Sequence, residues 1–228
     1  MHAVVNKPVN ETTKTRSLIR RHPRRSLLVV FVVLVLIGAG ITLWATLRSK
    51  PQKISSNPVV AGYQRQLPAL KQAVQKDGND PQARYNYAVA LYATKDVAGA
   101  KDQYVAEAKL TPNDPALENN LGNVYRDLAD YKRAVDAYQK AIRLDPKASN
   151  SYINLASLYL YTLNQKDLAI KTYQDGLRNL PGNQDLEVLL GIAYEQSGDK
   201  SNARTTYQQV LNQNSNNATA KAGLKRIQ

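Results

Sequence analysis

From residue 80 onward the sequence repeats itself every 34 or 35 residues. Asp80-Pro81 and Asp114-Pro115 lie 34 residues apart, and Ala100, Ala134, Ala169 and Ala203 follow at intervals of 34, 35 and 34. Tyr104, Tyr138, Tyr173 and Tyr207 keep the same intervals. Pro112, Pro146 and Pro181 close three units, with Ser215 in the fourth place. Small residues (Ala88, Gly122, Ala156, Gly191) recur at 34, 34 and 35. A period of this length marks stacked supersecondary units, none of which can bury its apolar face alone.

Each slot has a physical reason. Asp80 and Asp114 can accept hydrogen bonds from free backbone N–H groups at a helix start, and the proline after each sits in the first turn, where no donor is missed. A small residue in the first helix lets the second approach closely. Tyrosines and leucines such as Leu121, Tyr125 and Tyr138 fill the space between the pair, and the closing proline stops the second helix. The expected fold is therefore all-α, a solenoid of helix pairs.

The unit at 115–148, with Leu121-Gly122, Tyr125, Ala134, Tyr138, Ala141 and Pro146, closely resembles the tetratricopeptide repeat. That resemblance implies a right-handed superhelix of four units, at 81–114, 115–148, 149–183 and 184–217. The third carries one extra residue, assigned here to its inter-helix turn (161–167). The first departs from the family pattern with Leu91 in place of Tyr and Glu107 in place of Ala. Residues 64–77 align with a second helix, and 63–80 are expected to form a half-repeat. Residues 218–228 form a basic capping helix.

Ahead of the repeats lie 22 uncharged residues between Arg25 and Arg48. As a helix they would extend about 33 Å, enough for a hydrocarbon core of about 30 Å. The apolar stretch is too long for a signal peptide, and no A-x-A-like cleavage site follows it. Residues 26–47 are expected to form a single transmembrane helix. Charge orients it. Of the formal net charge of +13, residues 1–26 carry seven basic against one acidic residue, and residues 81–228 carry a net of only +3. The excess flanks the apolar segment, which is a topology signal and not a nucleic-acid footprint. The positive-inside rule predicts a cytoplasmic tail (1–25), a linker (48–62) and repeats outside the cytoplasm, at the inner (plasma) membrane.

Chemistry is sparse. There is no cysteine, and both histidines, His2 and His22, fall in the tail. Without His, Cys or a phosphate-binding glycine loop, the repeats offer no nucleophile–base pair and no metal site. No catalytic residue, cofactor, metal or small-molecule substrate is expected. In the family, first helices line a concave groove. The resemblance places Asn86, Asn120 and Asn154 there, 34 residues apart, with Asn119 and Asn123 beside them, and Leu189 breaks the series. A primary amide both donates and accepts, so such a row can pair with the backbone of an extended peptide of any sequence. Tyr85 and Tyr161 are expected to add apolar contact. The slots that hold Lys and Arg in relatives binding acidic chaperone tails are occupied here by Gln82, Tyr85, Val89, Asn150 and Asn154, which speaks against that ligand.

The function these features predict is a membrane-tethered scaffold that binds a protein or peptide in its groove. The layout is similar to that of bacterial inner-membrane accessory proteins of secretion and cytochrome assembly. The alternative is a permanent structural subunit of a larger membrane complex.

Overall fold

The computed structural model describes residues 54–228. The expected tail, transmembrane segment and first part of the linker lie outside the described residues. Among the described residues, no helix is long and apolar enough to cross a membrane.

All the regular structure there is helical. It comprises α1 (Pro58–Lys76), α2 (Pro81–Ala93), α3 (Val97–Glu107), α4 (Pro115–Asp127), α5 (Tyr131–Leu144), α6 (Ser149–Ser157), α7 (Lys166–Asn179), α8 (Gln184–Ser197), α9 (Lys200–Gln213) and α10 (Ala218–Arg226). Helix α1 begins five residues before the expected start of the half-repeat at 63. The reason is a cap: the Asn57 side chain accepts from the backbone N–H groups of Val59 and Val60, and Pro58 fits the first turn. Asp80 and Asp114 start α2 and α4 in the same way. Asp96, Asp130 and Asp199 cap the second helices α3, α5 and α9.

The turn inside each repeat is a Schellman-type stop. Lys95, Ala129, Asn164 and Gly198 all adopt positive φ (71°, 59°, 53° and 88°). In each case the next N–H returns to a carbonyl of the first helix, as Asp130 to Tyr125 at 2.8 Å. Only one of the four is glycine, so this recurring left-handed position is invisible in composition. The extra residue of the third repeat lies just before this turn and not within it. It is absorbed by a π-helical turn, Leu158–Thr162, closed by Leu163 N–H bonding the Leu158 carbonyl at 3.0 Å.

The core repeats with the sequence. Tyr138, Tyr173 and Tyr207 are fully buried and Tyr104 nearly so. Each lies between the two helices of its unit. A Cβ placed on Gly122 would sit 2.4 Å from the Tyr138 ring, and one on Gly191 would sit 2.6 Å from Tyr207. Gly223 of α10 makes the same approach to the other edge of Tyr207, so the last helix seals the stack. The hydroxyls are also anchored: Tyr138 donates to Asn123 Oδ1 (2.8 Å) and Tyr207 to Glu195 Oε2 (2.7 Å). Arg226 forks onto the same Glu195 (2.7 and 2.9 Å), tying α10 to α8 and holding that carboxyl below its usual range. The basic cap is therefore held by a charge-assisted pair as well as by the burial of Ala220 and Ile227.

Candidate functional site

Along the stack α4 contacts α6 and α6 contacts α8, and Asn120 of α4 reaches Tyr85 of α2. The first helices α2, α4, α6 and α8 thus share one side of the stack.

Asn86 lies on the exposed part of this face, its Oδ1 accepting from Gln82 Nε2 one turn earlier (2.9 Å). Asn120 is half-buried and donates through Nδ2 to the Tyr85 hydroxyl of the preceding repeat (3.3 Å). Asn154 is also half-buried and donates to Asn119 Oδ1 (2.9 Å), which in turn accepts from Ser151 Oγ at 3.4 Å. The asparagine row thus knits α2 to α4 and α4 to α6. Each amide is half anchored: the Asn86 Nδ2 and the Oδ1 atoms of Asn120 and Asn154 have no partner among the described residues. Asn123 is different, because its Oδ1 is committed to the buried Tyr138 hydroxyl.

The aromatic side chains divide in the same manner. Tyr85 is half-buried and packs against Tyr104, ring centroids 6.1 Å apart. With Asn86, Val89, Tyr63 and Leu70 it lines a cavity of about 440 Å³ between α1 and α2. Tyr161 stands 57% exposed on the π turn, while its neighbour Leu160 is buried. Tyr92 donates to Asp127 Oδ2 across the repeat boundary (2.6 Å), and burial followed by that carboxylate pushes its hydroxyl up to about 12. A second cavity of about 440 Å³ opens on another part of the solenoid, among α5, α6 and α7, lined by Ile142, Tyr152, Leu168 and Arg178. No member of the asparagine row lines it.

One residue of consequence replaces the family's alanine in the first repeat. Glu107, near the start of α2 and α4, is buried. The signal that could have found it is its place at the interior Ala slot.

Models of the tetratricopeptide repeat match residues 63–115, 115–148, 137–171 and 186–217, together more than half of the chain. Among curated proteins, the chain is 27% identical over 131 residues to small glutamine-rich tetratricopeptide repeat-containing protein 2 of Mycosarcoma maydis, covering 58% of this chain and 34% of that one. It is 25% identical over 139 residues to anaphase-promoting complex subunit 3 of Schizosaccharomyces pombe (61% and 21%). It is 29% identical over 86 residues to Hsp70-Hsp90 organizing protein 3 of Arabidopsis thaliana (38% and 15%). The chain thus spans about a third or less of the length of these relatives. Solved structures share the fold: MamA superposes with a TM-score of 0.60 at 21% identity, covering 66% of this chain and 87% of that one. YrrB, described as a TPR protein with an unusual peptide-binding site, gives 0.58 at 18% identity, with 73% and 86% covered. The helix pairs, the interlocked tyrosines and the matched segments agree, and the chain belongs to the tetratricopeptide-repeat family.

Proposed function

We propose that this chain is a membrane-tethered scaffold that holds a protein partner, through an extended segment, against the face formed by α2, α4 and α6. The observation that carries the reading is the half-anchored amide row. Asn120 and Asn154 are oriented by bonds to the neighbouring repeat, and their remaining acceptors, with the Asn86 donor, are left for a ligand on the side of the stack shared by α2, α4 and α6. Preset donors and acceptors at repeat spacing suit a peptide backbone, because each pairing costs little further side-chain ordering. Two of the relatives named above are an organizing protein and a complex subunit, which favours a protein ligand over a small molecule. Residues 26–47 supply the tether in this reading, with the N-terminus cytoplasmic and the repeats outside.

Photo-crosslinking tests the reading in cells. A benzophenone amino acid at position 86 or 120 should capture a discrete partner chain, and one at the exposed Lys132 of α5 should not. Capture from position 132 alone would overturn it.

A further inference from the structure

Four positions at intervals of 34, 35 and 34 face the inside of the stack near the ends of the second helices: Glu107, Ala141, Gly176 and Val210. Three are small or apolar and buried, as the packing demands. The first repeat instead puts a carboxyl there. Glu107 is only 3% exposed, and its Oε2 is buried with no hydrogen-bond partner. Leaving such a group unmatched is costly, and native proteins rarely do so without a use.

Glu107 lines a cavity of about 250 Å³ that opens between the start of α2, the end of α3 and the loop into α4. Gln82, Tyr85, Thr111 and Asp114 are among its walls, and no Lys or Arg of the described residues lines it. Asp114 adds a second carboxylate, although its Oδ1 already caps α4 through Ala116 and Leu117. At roughly 30 Å³ per liquid water, the space exceeds what a few solvent molecules need and admits a long side chain. Tyr85 joins this cavity to the asparagine row, since its hydroxyl accepts from Asn120. The acidic pocket thus shares two of its walls, Gln82 and Tyr85, with the hydrogen-bond partners of Asn86 and Asn120.

We propose that the Glu107 cavity receives a lysine or arginine side chain of the bound partner, whose cation pairs with the unsatisfied Glu107 carboxylate while its methylenes lie against Tyr85. This rests on the groove reading above and adds a residue preference that the sequence-blind amides lack. Burial, and then the neighbouring Asp114, push Glu107 up to about 7, so its carboxyl gains and loses its proton around neutrality. An arriving cation displaces that proton, and the groups facing the site (Asp114, Tyr85 and Tyr104) supply no competing positive charge.

The test uses the full chain and three probes: the N-acetyl, N-methylamide derivatives of arginine, lysine and glutamine. Amide shifts of Tyr85, Thr111 and Ala116 and the carboxyl carbon of Glu107 are followed by NMR at millimolar probe. A saturable response to the basic probes and not to the glutamine probe is expected, tightening from pH 6 to pH 8. Glu107→Gln, which keeps the shape and removes the charge, should weaken the basic probes by about 10- to 100-fold, the range of a charge-assisted hydrogen bond. The proposal is overturned if the basic probes give no saturable shift at these residues, or if Glu107→Gln binds them as well as the parent. Either result leaves the crosslinking pattern at positions 86 and 120 untouched, so failure of the pocket and failure of the groove are separable.

Discussion

Replacing Gly122 by Ala adds one methyl group to the tightest helix crossing in the second repeat. The new Cβ would lie 2.4 Å from Cε1 and 2.5 Å from Cδ1 of Tyr138, a ring that is fully buried and pinned through its hydroxyl to Asn123. Ordinary carbon contacts need about 3.5–4 Å, so α4 and α5 must separate by about 1 Å or the ring must leave its rotamer. Overpacking of this kind costs about 1–3 kcal/mol. Against it stands the helix preference of Ala over Gly, about 1 kcal/mol. The same substitution at Gly62 in α1, where nothing lies within 4 Å, has only the second effect and should stabilise. A Tyr138→Leu background should remove most of the clash and turn Gly122→Ala favourable, giving a coupling of about 1–3 kcal/mol in the double-mutant cycle. Urea unfolding followed by circular dichroism measures all four variants. Hydrogen exchange should place the damage in 115–148 and its flanks, because repeat stability is set by nearest neighbours. If Gly122→Ala stabilises as much as Gly62→Ala, the interlock does not hold the repeat together.

Three further outcomes follow from the structure. Lys95→Gly and Ala129→Gly, at left-handed positions where Gly198 already stands in the fourth repeat, should each raise stability by about 1 kcal/mol in urea unfolding, whereas glycine within a helix lowers it. Glu107 is held above its unfolded range by burial, so its ionisation opposes folding: below about pH 4.5 it costs nothing, stability declines from there to about pH 7, and the loss is constant beyond. Glu107→Gln should flatten that decline, worth roughly 1–3 kcal/mol at pH 8, and an unchanged profile would place the titration elsewhere. A reporter that works only outside the cytoplasm, fused after Gln228, should be active if the basic flank orients the segment at 26–47. Activity from a cytoplasmic reporter alone would reverse the topology.

The parts of this fold that were legible in the sequence are those where one residue type has one physical job. Asp-Pro at 80–81 and 114–115 can hardly be anything but capped helix starts, and Gly122 opposite Tyr138 announces close helices because only a missing side chain admits a ring there. The parts that were not legible depend on a neighbour. Lys95 and Ala129 adopt left-handed backbone because the Schellman hydrogen bonds of the turn outweigh their intrinsic reluctance. The extra residue of the third repeat went into a π turn and not the loop, since that keeps Asn164 and Gln165 in the stop used by the other units. Among the candidate groove residues, repeat spacing singled out Asn86, Asn120 and Asn154. It could not show that Asn120 and Asn154 also tie repeats together, or that Asn123 serves Tyr138. Glu107 was visible as a departure, but its orphaned oxygen is a property of the packed stack alone.

The most direct measurement is the affinity of the crosslinked partner for a chain in which Asn86, Asn120 and Asn154 are replaced together by Ala. Two of these side chains bond to a neighbouring repeat, so thermal unfolding must accompany the titration. Lost hydrogen bonds and gained helix preference should nearly offset there. Each amide–peptide bond contributes a net of roughly 0.5–1.5 kcal/mol, so three supply about 1.5–4.5 kcal/mol, a weakening of about tenfold to a thousandfold. Lys132→Ala, on the exposed side of α5, should leave the same partner within about threefold of the parent. A folded triple variant with parental affinity, beside loss of binding in Lys132→Ala, would contradict the account and move the partner to the outer surface.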